Sequence, residues 1–430
     1  MSISNLLSES NTTISNAQGR PALLALTRAT TKLIYQDLVA TQYTNQPTAA
    51  LYGVKYLNPN KELSFVTGAT YSGQYGSKDR ETLEEITTAN KDSFTKGKLF
   101  LFQDVVFKSL SDTPFAGSTE TEIFDIISEA NAASTIRMAP EAADTSKFET
   151  PTGDVSAAGF VVNKWQAPVK SRKFKTELTV ELAQDMEAAG FDAPTMLEDI
   201  LATQMAEEVN KDVLQSLVTV SSRFKVNGVS DKGVLDLSTL GSSVDQARNL
   251  YRFICEMNAS IQRATSYSAT YVVASSRVAA LLASSGWLQQ KEGQPETCYG
   301  VLNNSLVVYC DNNSPVEYVI VGVKDSYGPE EMIGSLFYAP YAEGLSKDAD
   351  PTDHIGAYKV INDPDSLQPK LMLLIRYALC VNPYTMGLTD EEARIIDASD
   401  IDNFAGRSQM SVFLGVKLPK LKGDELPKQD

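Results

Sequence analysis

The chain has 430 residues, 43% hydrophobic and 21% charged, a balance that suits a soluble folded protein of two or three domains and excludes wholesale intrinsic disorder. Its 38 basic and 54 acidic residues leave a net charge of −16, which excludes a surface built for non-specific binding to nucleic acid or anionic lipid. Cys255, Cys298, Cys310 and Cys380 lack CxxC or disulfide-like spacing, so buried reduced thiols are expected, and the longest apolar runs are interrupted by Arg277 and Arg376, which leaves no membrane span.

Residues Met1 to Gly19 are rich in Ser and Asn and lack the basic and apolar regions of a signal peptide. Within them, Leu7-Ser8-Glu9 is a short exposed site where a protease could cut before Ser10. Leu23, Leu26, Leu33, Ile34 and Leu38 then give one apolar helical face, an arm packed on the body and ended by the polar run Thr41 to Pro47. From Leu51 to Phe115 the texture is short, alternating and glycine-punctuated, which predicts a small β-rich module. Its clearest piece is Gly97 to Lys108, two strands turning at Gln103-Asp104. Ala130 to Ala158 is irregular and Gly159 to Val180 resumes strand texture, so the order is strand out, inserted module, strand back.

Next comes the most basic stretch, Lys164, Lys170, Arg172, Lys173 and Lys175, and then the one long helix, Phe191 to Val220. Asp192 or Ala193 can cap it, Pro194 suits its first turn, and Glu198 and Asp199 favour its positive end. Leu197, Ile200, Leu201, Met205, Val209, Val213, Leu214 and Leu217 recur at helical spacing, which predicts one buried face on a spine roughly 40 Å long. A basic extended segment leading into an acidic-faced spine suggests that one copy's arm lies across another copy's spine. Lys170, Arg172, Lys173 and Lys175 would meet Glu207, Glu208 or Asp212 of a neighbour, the alternatives being a solvated strand face or a nucleic-acid contact. A second helix is expected over Gln246 to Ile261 and a third over Ser275 to Ser284, with short strands from Tyr271 to Leu379, giving an α+β class without a repeat period.

Nothing carries catalysis or a cofactor. His354 is the single histidine and no GxSxG elbow accompanies it, so neither a triad nor a histidine metal site is expected. Gly68 to Lys78 lacks the GK[ST] of a phosphate loop and reads as turn glycines. Phe94, Phe100, Phe102 and Phe107 could stack sugars, but a module this small must spend its aromatics on its own core.

Several stretches together resemble the head vertex proteins of T-even-type tailed bacteriophages, paralogues of their major capsid proteins. They are Gly19 to Thr48, Tyr52 to Pro59 (YGVKYLNP), Asn163 to Gly190, the spine, Tyr338 to Leu345 (YAPYAEGL) and Ala393 to Lys420, running nearly end to end. The resemblance implies an HK97-like capsid fold. Its parts would be a propeptide at 1–9, an N-terminal arm at 10–56, and a chitin-binding-like insertion domain at 57–130. An E-loop return at 131–180 would lead to a P-domain at 181–240 with spine 194–220, and A-domain and P-domain returns would occupy 241–430. It further implies a homopentamer at icosahedral vertices, surrounded by major capsid protein hexamers. The chain would be assembled on a prohead scaffold in the host cytoplasm and trimmed by a prohead protease after a glutamate in a Leu/Ile-x-Glu pattern. Leu7-Ser8-Glu9 fits that pattern, as do Leu83-Glu84-Glu85, Ile127-Ser128-Glu129 and Ile254-Cys255-Glu256. The alternatives are a hexamer-forming major capsid protein of the same family and a glycan-binding module protein. No specific nucleic acid, membrane, metal or cofactor is expected as a partner.

Overall fold

The computed structural model describes residues 33–57, 83–103, 105–118, 121–138, 149, 159–177, 179–181, 184, 193–238, 243–289, 297–303, 305–326, 332–342, 357–362, 369–382 and 398–419. Leu7, Glu9 and Ser10, the Gly68 to Lys78 stretch and His354 lie outside them.

The spine is an α-helix over Ala193–Val220, with Pro194 in its first turn where a missing N–H costs nothing. Glu198 and Asp199 fall beyond that first turn, so they do little for its positive end. Leu201, Met205, Val209, Val213, Leu214 and Leu217 are buried as the spacing predicts, whereas Ile200 is 43% exposed. At Ile200 the buried stripe is therefore narrower than the spacing suggests.

The buried half of the spine forms the joint between two sheets. Val209, Val213, Leu217 and Val220 share one core with Tyr271, Val273, Tyr318 and Ile320 of one sheet and Leu336, Tyr338, Tyr377 and Leu379 of the other. The first sheet has, among the described residues, eight strands in the order 288–289, 298–302, 306–311, 271–275, 318–322, 408–417 and 221–223, with 234–236 also paired to 408–417. Its other face is closed by helices Ser243–Thr265 and Ser276–Ser284, which bury Leu250, Phe253, Ile254, Met257, Val278 and Leu282 at helical spacing.

The second sheet is organised on the long strand Pro369–Val381. Along one edge it takes Leu336–Pro340 and Ala357–Asn362, and along the other it takes Lys170–Glu177. The two-residue strand Ala40–Thr41 adds parallel to Leu336–Pro340. The chain is α+β, and the helices and strands expected after the spine are all present within a few residues. The strands at 298–302 and 408–417 were not foreseen.

Residues 34–41 hold the arm to the joint. Ile34, Leu38, Val39 and Ala40 are buried, and the backbone N–H of Tyr35 donates to Oδ1 of Asn210, itself buried on the spine, at 3.1 Å. Lys324 Nζ donates to the Gln36 carbonyl, and Thr297 Oγ1 donates to Asp37. Burial pulls the Lys324 pKa down against the opposing pull of Asp37. Replacing Asn210 with alanine orphans the Tyr35 N–H in a dry core and is expected to cost about 1–3 kcal/mol. A urea titration that shifts the midpoint without changing its slope would register that loss.

The inserted module has its own core of Ile86, Phe94, Phe100, Phe107, Phe115, Ile126, Ile127 and Ile136. Strands Leu99–Phe102 and Val105–Ser109 form the expected hairpin, with Gln103 at a φ of 47°. The module runs past the expected boundary at 130, because Ile136–Met138 adds a third strand and helix Ile123–Ala132 seals the core. Of the cysteines, all four are free, but only Cys380 is buried. Cys298 and Cys310 are half-buried and Cys255 is exposed, which corrects the expectation of burial throughout.

Candidate functional site

Two features outside the cores stand out, a two-stranded ribbon and the place where its continuation meets the spine. Strands Thr48–Leu57 and Gly159–Pro168 pair antiparallel over their whole length. Because successive side chains alternate between faces, Leu51, Gly53, Asn163 and Trp165 share one face and Tyr52, Val54, Tyr56, Phe160 and Val162 share the other. Trp165 is 1% exposed, held by Ala40, Phe337, Ala378, Cys380 and Ala398 of the body. Its ring lies across Gly53, where a Cβ would fall 2.1 Å from the indole.

The opposite face is a run of large apolar side chains in solvent, from Val54 at 48% to Phe160 at 69% exposed. Lys164 Nζ lies 5.7 Å from the Tyr52 ring centre at the end of the run. A cleft of about 560 Å³, lined by Tyr52, Trp165, Tyr267, Met332, Phe337 and Met410 among others, opens where the ribbon leaves the body. A contiguous apolar face of this kind marks an interaction surface.

The ribbon continues after Val169 into Lys170–Glu177, and here the expectation of an arm crossing a neighbour's spine is corrected. That strand belongs to the chain's own sheet, and its Arg172 reaches the chain's own spine. Arg172 lies 3.3 Å from Glu208 and 3.1 Å from Asp212, and its Nε donates to Tyr377 Oη at 2.6 Å. Tyr377 passes a hydrogen bond on to Asp212 Oδ2, also at 2.6 Å. Burial would lower the guanidinium's pKa, but hydrogen bonds and charge from Tyr377 and Asp212 more than offset it and the pKa stands raised. Burial and the Asp212 carboxylate push the Tyr377 phenol up, so it stays a donor.

The other basic residues do not share this contact. Lys175 pairs with Glu177 on its own strand, and strand alternation puts Lys173 and Lys175 on the face away from Arg172. Lys170 lines a pocket of about 430 Å³ beside Arg172 and Asp212. Glu207 neighbours Glu208 on the spine. Of the module's aromatics, Phe94, Phe100 and Phe107 are core residues and Phe102 is half-buried, so they build no sugar platform. Sequence reasoning missed the ribbon face, although the alternation of Tyr52, Val54 and Tyr56 was its signal.

Among the described residues no group of three or more His, Cys, Asp or Glu could hold a metal ion, and no helix is long and apolar enough to cross a membrane. The family profile described as Major capsid protein Gp23 matches residues 16–416. The capsid vertex protein of Enterobacteria phage T4 is 55% identical over 427 residues, covering 98% of this chain and 99% of that protein. The major capsid protein of the same phage is 26% identical over 412 residues, covering 85% and 75%. Among solved structures, one from Mycobacterium phage Bobi superposes with a TM-score of 0.45 at 12% identity, covering 96% of this chain and 98% of that one. With a match spanning nearly its whole length, the chain belongs to the Gp23 major capsid protein family.

Proposed function

We propose that the chain is a non-enzymatic wall protein of a tailed phage head, with the HK97-like plan of arm, ribbon, spine and two sheets. In this reading it forms homopentamers that close the icosahedral vertices between hexamers of the major capsid protein. The observation that carries the vertex assignment is the contrast in similarity, 55% identity over 98% of the chain to a vertex protein against 26% over 85% to a major capsid protein. The apolar ribbon face supports an assembling role, because about 25 cal/mol per Å² of apolar surface is recovered only when a neighbour covers it.

Trimming by a prohead protease is part of the same reading, with Glu9 as the cut. Two of the competing motifs lie in helices with their apolar residue buried, Ile127 and Ile254. The third, Leu83-Glu84-Glu85, is tied to the hairpin through bonds between Glu84 and Leu101 and between Ile86 and Leu101. A protease needs extended, accessible chain, which leaves Leu7-Ser8-Glu9 favoured. Intact mass of the chain from mature heads is expected to begin at Ser10, and an N-terminus at Met1 would refute the trimming.

Placing lysine at both Tyr56 and Phe160 is expected to leave the isolated chain as stable as before, since both are exposed, and to abolish its incorporation into heads. Imaging of heads carrying the wild-type chain tests its position. Copies found at hexamer positions would replace the vertex reading with that of a major capsid protein.

A further inference from the structure

The face of the five-stranded sheet that points away from the spine has two unlike halves. Around Ala378 and Cys380 it is covered by Trp165 and Ala167 of the ribbon. Around residues 370–376 it is open and strongly basic. Directly paired residues of antiparallel strands share a face, so Lys175, Met372 and Lys359 form one cross-strand row. Lys173 opposes Leu374 in the next row, and Lys370 and Arg376 lie on the same side. Glu177 is the one carboxylate on this face among the described residues of the three strands, and it already serves Lys175 and Lys370. Lys173, Lys175, Lys359 and Met372 are exposed.

Such a concentration of cations stands out in a chain of net charge −16. Met372 and Leu374 lie between the lysines and the Tyr341 ring beside them is already capped by Arg376 at 4.2 Å, so the face suits a protein surface better than a nucleic acid. The inserted module carries a counterpart. Its helix Ile123–Ala132 buries Ile126, Ile127 and Ala130 and turns Asp125 and Glu129 outward, with Glu122 exposed at the N-cap. The three carboxylates lie on one flank at three- and four-residue spacing and span about 10 Å. Lys175 and Lys359 stand two strand spacings apart, about 10 Å, and Lys173 lies about 7 Å along from Lys175. Spans match and signs oppose.

We propose that the basic half-face of one copy docks the acidic flank of the module helix of a second copy. The contact is heterologous, joining different surfaces of identical chains, and so can run around a closed ring. It rests on the assembly reading above and names the surfaces that meet.

Heads assembled from a mixture of light- and heavy-nitrogen-labelled chains, treated with a zero-length carbodiimide and digested, provide the test. Amide-linked peptides joining Lys173, Lys175 or Lys359 to Glu122, Asp125 or Glu129 are expected, with mixed-label pairs as frequent as same-label pairs. Links confined to one label, links from these lysines to another polypeptide, ultraviolet links from this face to DNA, or no links in heads that contain the chain would each overturn the contact and leave the assembly reading standing. Heads that lack the wild-type chain would overturn both. In a second arm, the paired reversals K173E/K175E and E122K/D125K are each expected to cut incorporation by about tenfold or more. Combining them is expected to restore it, and a combination no better than either alone would overturn the contact.

Discussion

Trp165→Ala is expected to cost about 3–5 kcal/mol, because the ring is almost fully buried. Ala40, Phe337, Ala378, Cys380 and Ala398 grip it from the body, and the pleat of the ribbon's other strand closes it from the side. Gly53 is part of the same construction. A methyl there would sit 2.1 Å from the indole, closer than real Cβ contacts, so Gly53→Ala must displace the ring or bend the ribbon. Overpacking of this kind costs about 1–3 kcal/mol. The two substitutions share one space, so the double variant Gly53→Ala/Trp165→Ala is expected to lose less than the sum of the singles. Urea denaturation of the four proteins measures this, and strict additivity would mean that the glycine has another purpose.

Arg172→Ala is expected to cost about 1–3 kcal/mol once the partial exposure of the cluster is allowed for. The guanidinium satisfies Tyr377, Glu208 and Asp212 together, a fan that a single ammonium cannot cover, so Arg172→Lys should recover little of the loss. A double-mutant cycle between Arg172 and Asp212 in the isolated chain is expected to show coupling that shrinks as salt is added. Coupling seen only in assembled heads would mean that the pair closes between copies.

Helical spacing announced the spine, because one face of its Val209–Val220 half meets a continuous core. It failed at Ile200, which is exposed although Leu201 beside it is buried. The hairpin at Gly97 to Lys108 was legible for a similar local reason, its turn and alternation lying within a dozen residues. The module's third strand and the helix that seals it were not, since Ile136–Met138 is too short to carry a period. The basic segment misled because charge pattern names a class of partner but not a chain. Its strand partner lies some 200 positions later, and only the pairing of Arg172 with Ile375 brings it over its own spine. Full-length resemblance conveyed the family where no short motif did.

Between the ribbon's return strand and the strand that carries Arg172 there is a single residue, Val169, and its N–H is bonded to the Pro47 carbonyl. That leaves no slack. The ribbon projects as a lever roughly 34 Å long at about 3.4 Å per residue, with its fulcrum at the Trp165 seat and its short end fastened through Arg172 to the spine. A force applied at the tip is therefore passed through Arg172 to the rod that joins the two sheets.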